Sequence, residues 1–261
     1  APTEVPFEQV MARVRRIVRD TYAHESPDAL REMGLDVVLG EAHFLSRHRI
    51  AVGDQVLNAR TVVIATGAHP FVPPIEGLDG VDFYTSSTLW DLERRPDHLI
   101  VIGGGPIGSE MSQAFRRLGA EVTLLEARDR LLIHDEPEAA EVLLEVLRSE
   151  GVEVRFGYKV TSVSQDGDGI HVHTDGGEVV GDTLLIAAGR RPNVDALDLD
   201  RVGIAYSARG IEVDDQLRTA VPHIYAAGDC LGHFQFTHYA DWQGRMAARN
   251  ALLPGIGRAH V

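Results

Sequence analysis

The segment from Leu99 to Leu132 constrains this chain more than any other part of it. Leu99 to Ile102 is a short apolar run, Gly103-Gly104-Gly105-Pro106-Ile107-Gly108 follows directly, and Pro106 to Leu118 reads as a helix. Glu121 to Glu126 is a further strand that ends on an acid. The spacing G-x-G-x-x-G has mechanical reasons. Gly103 permits a tight turn, Gly105 lets the backbone approach a pyrophosphate, and Gly108 lets the helix pack closely on the strand. Strand, glycines, helix, strand and terminal acid in register make a dinucleotide-binding βαβ unit. The ligand this predicts is the adenine half of NAD(H), its diphosphate lying over the free N–H groups and positive dipole end of the helix. Glu126 is placed to accept hydrogen bonds from both ribose hydroxyls and to repel the 2′-phosphate of NADP. Arg128 either offsets that repulsion in part or is a solvated surface charge. The competing reading of the whole motif is a glycine-rich turn without a ligand.

Around this unit, apolar periodicity predicts a helix from about Pro6 to Tyr22, with Phe7, Val10, Met11, Val14, Ile17 and Val18 on one face. Short strands are expected at Asp36–Leu39, near Phe44 and Ile50, and at Thr61–Ala65. A proline-rich stretch with Pro70, Pro73 and Pro74 reads as an ordered connector. Beyond the glycine motif come a helix over Pro137–Ser149 and strands at Glu153–Phe156 and Lys159–Ser164. Two Asp/Gly-rich turns flank His171-Val172-His173, and strands follow at Thr183–Ala187 and Ile224–Ala227 before a closing helix over His238–Leu252. Strands alternating with helices make this an α/β chain with a mostly parallel sheet covered on both faces.

The formal charge of −14 argues against sequence-independent binding to nucleic acid, which needs clustered Lys and Arg. No run approaches the roughly 18 apolar residues of a membrane span, and Ala1 to Gln9 show no basic-then-apolar leader. Cys230 is the single cysteine, so neither an intrachain disulfide nor a cysteine-based zinc site can form. These features point to the cytoplasm. Cys230 is read as packing rather than as a nucleophile. His171 and His173 share a strand face but lack a third ligand at suitable spacing, so no metal site is assigned.

Four motifs, in order, resemble the pyridine nucleotide–disulfide oxidoreductase family, which includes dihydrolipoamide dehydrogenase and mercuric reductase. They are Ala65-Thr66-Gly67-Ala68-His69-Pro70 with Pro74 and Gly77, the segment Gly103–Glu110, Ala188-Gly189-Arg190-Arg191-Pro192-Asn193, and Tyr225-Ala226-Ala227-Gly228-Asp229. The resemblance implies a Rossmann-like NAD domain of the three-layer ββα type, at 83–215, inserted in a partial FAD-binding domain made of 1–82 and 216–261. It implies NAD contacts at Gly103, Gly104, Gly105, Pro106, Ile107, Gly108, Ser109, Glu110, Glu126, Val160 and Gly189. FAD contacts are implied at Ala42, Thr66, Gly67, Ala68, Asp229, Gln235, Phe236, Thr237 and His238. His238 is expected to cap the closing helix or to touch FAD. The segment from Ala226 onward resembles the mercuric reductase branch.

The resemblance also implies what the parent enzyme does. It is an NAD(P)H-dependent flavoprotein oxidoreductase that passes a hydride from NADH to FAD, then electrons to a disulfide, a metal ion or another acceptor. The family's N-terminal FAD motif with its Cys pair and its C-terminal dimerisation domain have no counterpart here, so the expected FAD site is incomplete and no catalytic residue is assigned. The parent is expected to be a homodimer through that C-terminal domain. Pro106 stands where relatives often carry Tyr or Val, and the lysine that pairs with the acid at Glu110 is also without a counterpart. The alternative function is an NAD-binding module without turnover.

Overall fold

A computed structural model describes residues 6–253. The chain begins with α1 (Phe7–Glu25) and α2 (Pro27–Glu32), then β1 (Ala42–Ser46), β2 (Arg49–Val52), β3 (Gln55–Asn58), β4 (Val62–Ile64) and β5 (Ala68–Pro70). The middle runs β6 (His98–Ile102), α3 (Pro106–Arg117), β7 (Glu121–Glu126), α4 (Pro137–Ser149), β8 (Glu153–Phe156), β9 (Val160–Asp166), β10 (Gly169–Thr174), β11 (Gly177–Gly181) and β12 (Thr183–Ile186). It closes with β13 (Arg190–Pro192), α5 (Leu199–Val202), β14 (Tyr206–Ser207), β15 (Gly210–Ile211), β16 (Ile224–Ala226) and α6 (Thr237–Leu252). Among the described residues, no helix is long and apolar enough to cross a membrane.

Two compact units share these elements: residues 6–29 with 70–189, and residues 30–69 with 190–253. In the first, β12-β6-β7-β8 form a parallel sheet and β11-β10-β9 an antiparallel one. Successive side chains of a strand point to opposite faces, and the core divides accordingly. Leu99 and Val101 of β6 pack with Phe115 of α3 and Leu147 of α4. Ile100 and Ile102 pack instead with Val163, Ile170 and Val172 of the antiparallel sheet. The result is three layers, antiparallel sheet on parallel sheet on helices, as the ββα expectation requires. Leu99, Leu124, Leu147 and Leu185 are wholly buried, and each such side chain contributes roughly 1.5–3 kcal/mol.

In the second unit, β16 lies parallel to β4 and α6 packs on both. β1, β2 and β3 form an antiparallel sheet. Phe44, Ile64, Leu199, Ile211 and Ile224 share one core there.

The units change over at 69/70 and 189/190, whereas the boundaries expected from sequence stand at 82/83 and 215/216. The core explains the difference. Leu78 and Val81 pack with Val163 of the first unit, while Val194, Leu197 and Val202 pack with Ile224 of the second. Helix α1 belongs to the first unit because Phe7 and Met11 pack with Phe115. Its stripe is buried only at that end, since Ile17 and Val18 are exposed. The strand expected at Asp36–Leu39 is irregular backbone, with Leu39 70% exposed and no ladder to join among the described residues. Pro27 starts α2, with Ser26 Oγ accepting the Ala29 N–H at 3.2 Å.

Candidate cofactor sites

The C-terminal ends of β6, β7 and β12 lie side by side and carry the first site. Gly103 N–H donates to Leu125 O at 2.9 Å, and Ala187 N–H to Ile102 O at 2.8 Å. Gly103 has φ 112°, a left-handed conformation that favours glycine, and a Cβ there would collide with Ala187 O. A Cβ at Gly108 would collide with Gly103 O, so the helix lies directly on the turn. At Gly105 the opposite holds, because a Cβ would meet no atom within 4 Å. Gly105 caps α3 without any side-chain bond and Pro106 takes the first helical position. The helix N-terminus, whose first N–H groups have no partner within the helix, thus borders clear space on the Gly105 side, which is what a diphosphate needs.

Glu126 is held rigidly. Its Oε2 accepts the Gly104 N–H at 2.7 Å and its Oε1 the Arg128 N–H at 2.8 Å. Both bonds are charge-assisted, and each carboxylate oxygen keeps a further lone pair for a ribose hydroxyl. The Arg128 side chain is exposed. Ser109 is buried, its Oγ 3.5 Å from Gly104 O, while Pro106 and Glu110 are exposed and Ile107 half-buried. Val160 opens β9, two residues after Tyr158, whose N–H donates to Glu126 O at 3.2 Å. Gly189 (φ 120°) is exposed beyond β12, its O accepting the Phe71 N–H at 2.9 Å.

In the second unit the C-terminal ends of β4 and β16 are adjacent and lead into Thr66–Ala68 and Gly228–Asp229. Gly228 (φ 82°) turns the chain, and its N–H donates to Oε1 of the buried Gln243 at 2.9 Å. Asp229 is half-buried, and its Oδ2 lies 3.4 Å from Arg190 Nε. That contact is an ion pair at distance and not a hydrogen bond. Arg190 Nη2 donates to Ala68 O at 2.6 Å, joining the two segments. Asn193 completes the tie: Thr66 Oγ1 donates to its O at 2.7 Å, and its Nδ2 donates to Thr66 O at 2.8 Å. A Cβ at Gly67 would meet nothing within 4 Å, so this backbone too is open to a ligand.

Gln235 to His238 lie just before and within the first turn of α6, where Phe236 is 45% exposed. The expectation that His238 caps this helix is corrected. Phe236 occupies the cap without a side-chain bond, and the His238 ring stacks on it with centroids 5.7 Å apart. Ala42 opens β1 opposite Val52, in a different sheet from β4 and β16. From sequence, Arg190 and Asn193 were only members of a family motif with no contact of their own assigned, and Gln243 had no role. The signals were a loop with paired arginines before Pro-Asn and an amide amid the apolar residues of the closing helix.

Cys230 is fully buried, its Sγ donating to Ala227 O at 3.2 Å, and burial pushes its thiol pKa up. It is a packing residue, without thiolate character. His171 hydrogen-bonds Glu178 at 3.0 Å and Asp166 at 3.1 Å on the β9–β11 sheet. Among the described residues no group of three or more His, Cys, Asp or Glu is arranged for a metal ion.

The family model of the pyridine nucleotide-disulphide oxidoreductases matches residues 11–244. The chain is 38% identical over 226 residues to the mercuric reductase of Bacillus cereus, which covers 85% of this chain and 36% of that protein. It is 34% identical over 228 residues to the dihydrolipoyl dehydrogenase of Bacillus subtilis (strain 168), covering 85% of this chain and 50% of that protein. The chain thus spans about half the length, or less, of these curated relatives. Among solved structures, the HOCl-induced flavoprotein disulfide reductase of Escherichia coli superposes with a TM-score of 0.88 at 31% identity, covering 98% of this chain and 59% of that one. LpdA from Mycobacterium tuberculosis gives 0.87 at 34% identity, covering 99% and 59%. The glycine turn, the oriented acid and the paired strand ends therefore sit in a chain that belongs to the pyridine nucleotide-disulphide oxidoreductase family.

Proposed function

We propose that this chain holds NAD(H) on the turn Gly103–Gly108 in its first unit and contributes FAD contacts from Thr66–Ala68, Asp229 and Gln235–His238 in its second. The protein it serves is then a flavin-dependent NAD(P)H oxidoreductase. The observation that carries the reading is the contrast among the glycines: Gly103 and Gly108 are required by close packing, while Gly105 faces open space at a helix N-terminus. When bound, NAD(H) would supply hydride chemistry and FAD would supply redox capacity toward a disulfide, a metal ion or another acceptor. The chain's own residues bind and orient. The N–H groups opening α3 face the diphosphate, Glu126 accepts the ribose hydroxyls, and Asp229 accepts a hydroxyl of the flavin's ribityl chain. The N-terminus of α6 offers a positive dipole end to negative charge on the reduced flavin.

Anaerobic addition of NADH to the FAD-loaded parent enzyme that this chain serves tests this. The flavin's visible absorbance band is expected to bleach, and bleaching is expected to be lost when Gly105→Val blocks the turn. An unbleached band with NADH demonstrably bound contradicts the reading.

A further inference from the structure

The loop after β7 has a guanidinium at its centre. Arg130 Nη1 donates to Leu132 O at 2.9 Å and Asp135 O at 3.2 Å, with Leu131 O at 3.4 Å, and Nη2 donates to Ile133 O at 2.8 Å. Wrapping four carbonyls round one side chain bends the backbone, and Leu132 sits in the left-handed region with φ 47°. The bent loop presses on the glycine turn. Leu132 N–H donates to Gly104 O at 3.0 Å. The side chain of Leu131, 1% exposed, lies where a Cβ on Gly104 would fall, at 2.7 Å from Cδ2. On the other side of the same residue, Gly104 N–H donates to Glu126. Gly104 is therefore gripped at both its N–H and its C=O, and Arg130 holds the loop that supplies one of the two grips.

We infer that Arg130 is a positioning residue for the dinucleotide: it fixes the shape of the Gly103–Gly108 turn through the 131–135 loop without touching the ligand. The contacts of Nη1 and Nη2 all go to carbonyls of the protein, which sets Arg130 apart from a phosphate ligand. A planar fork with two terminal nitrogens spans carbonyls on both sides of the loop, which one ammonium cannot do.

The inference rests on the reading of the turn as the NAD(H) site, and the parent protein serves as the check on that reading. NADH is titrated into the parent, Arg130→Ala and Arg130→Lys by calorimetry, and the amide resonances of Gly104 and Gly105 are compared in all three without ligand. In the parent, saturable binding is expected; its absence sinks the site reading and this inference with it. In Arg130→Ala, NADH affinity is expected to fall at least about tenfold, with the Gly104 and Gly105 resonances displaced and those of β6 and β7 kept. Arg130→Lys is expected to restore less than half of that loss, and it replaces Arg130→Ala if the latter does not fold. Parent-like affinity in a folded variant overturns the inference. So does lost affinity with Gly104 and Gly105 undisplaced, because Arg130 would then act on the ligand directly.

Discussion

Glu126 decides cofactor choice at the level of single atoms. Its carboxylate is pinned by two backbone N–H groups, so it cannot turn away from a 2′-phosphate without abandoning both. NADH is therefore expected to bind more tightly than NADPH in parallel calorimetric titrations. Equal affinities, or a preference for NADPH, would contradict this and make the exposed Arg128 a phosphate ligand. Removing the acid with Glu126→Ala deletes charge-assisted bonds worth about 1.5–3 kcal/mol each, a loss of at least about tenfold in NADH affinity. Two glycine substitutions separate packing from binding. Gly105→Val adds its side chain to open space, so the melting temperature is expected to stay near that of the parent while NADH binding disappears. Gly108→Ala puts a methyl group on Gly103 O, which is expected to cost about 1–3 kcal/mol as the helix is pushed from the strand. Thermal melts of both variants check the contrast, and equal destabilisation would argue against it.

The hairpins of β9, β10 and β11 carry a charged cluster. His171 lies between Glu178 and Asp166, and both hydrogen bonds raise its pKa above the usual 6.5, that to Glu178 most. His173 approaches the same Glu178 at 3.5 Å. A histidine whose pKa is raised by folding stabilises the fold below its unfolded value, and the benefit is lost as pH rises through the folded value. His171→Gln is thus expected to lower the melting temperature more at pH 6 than at pH 9, by a small amount because the cluster is solvent-screened. An equal or larger loss at pH 9 would contradict the assignment. At this scale the sequence was readable where periodicity and turn chemistry agreed. Pro137–Ser149 and Glu153–Phe156 fall where proline, acids and alternation predict, and Asp175-Gly176-Gly177 closes the β10–β11 hairpin. Asp36–Leu39 misled because β-branched and apolar residues describe a strand only when a neighbour supplies the ladder. The carbonyl cage of Arg130 had no sequence signal, since an arginine beside Asp129 reads as a surface charge until its donors are located.

Across the whole molecule, the two units each place a candidate site at the C-terminal ends of parallel strands, where open α/β sheets bind ligands. The first site was legible because its glycines, acid and helix are contiguous in sequence. The second was legible only through motif resemblance, because Thr66, Arg190, Asn193 and Asp229 come from distant segments that folding brings together. The changeovers between the two compact units, at 69/70 and 189/190, fall inside motifs rather than at linkers. The thiol of Cys230 follows from the second core. It is expected to stay unreactive toward a thiol reagent in the folded chain and to react on unfolding, whereas rapid labelling of the native protein would place it outside that core. The most direct measurement for the account as a whole is a crystal structure of the chain with NADH. The diphosphate is expected over Gly105 at the N-terminus of α3, with the adenosine ribose on Glu126. Nucleotide bound elsewhere, with the Gly103–Gly108 turn empty, would contradict it.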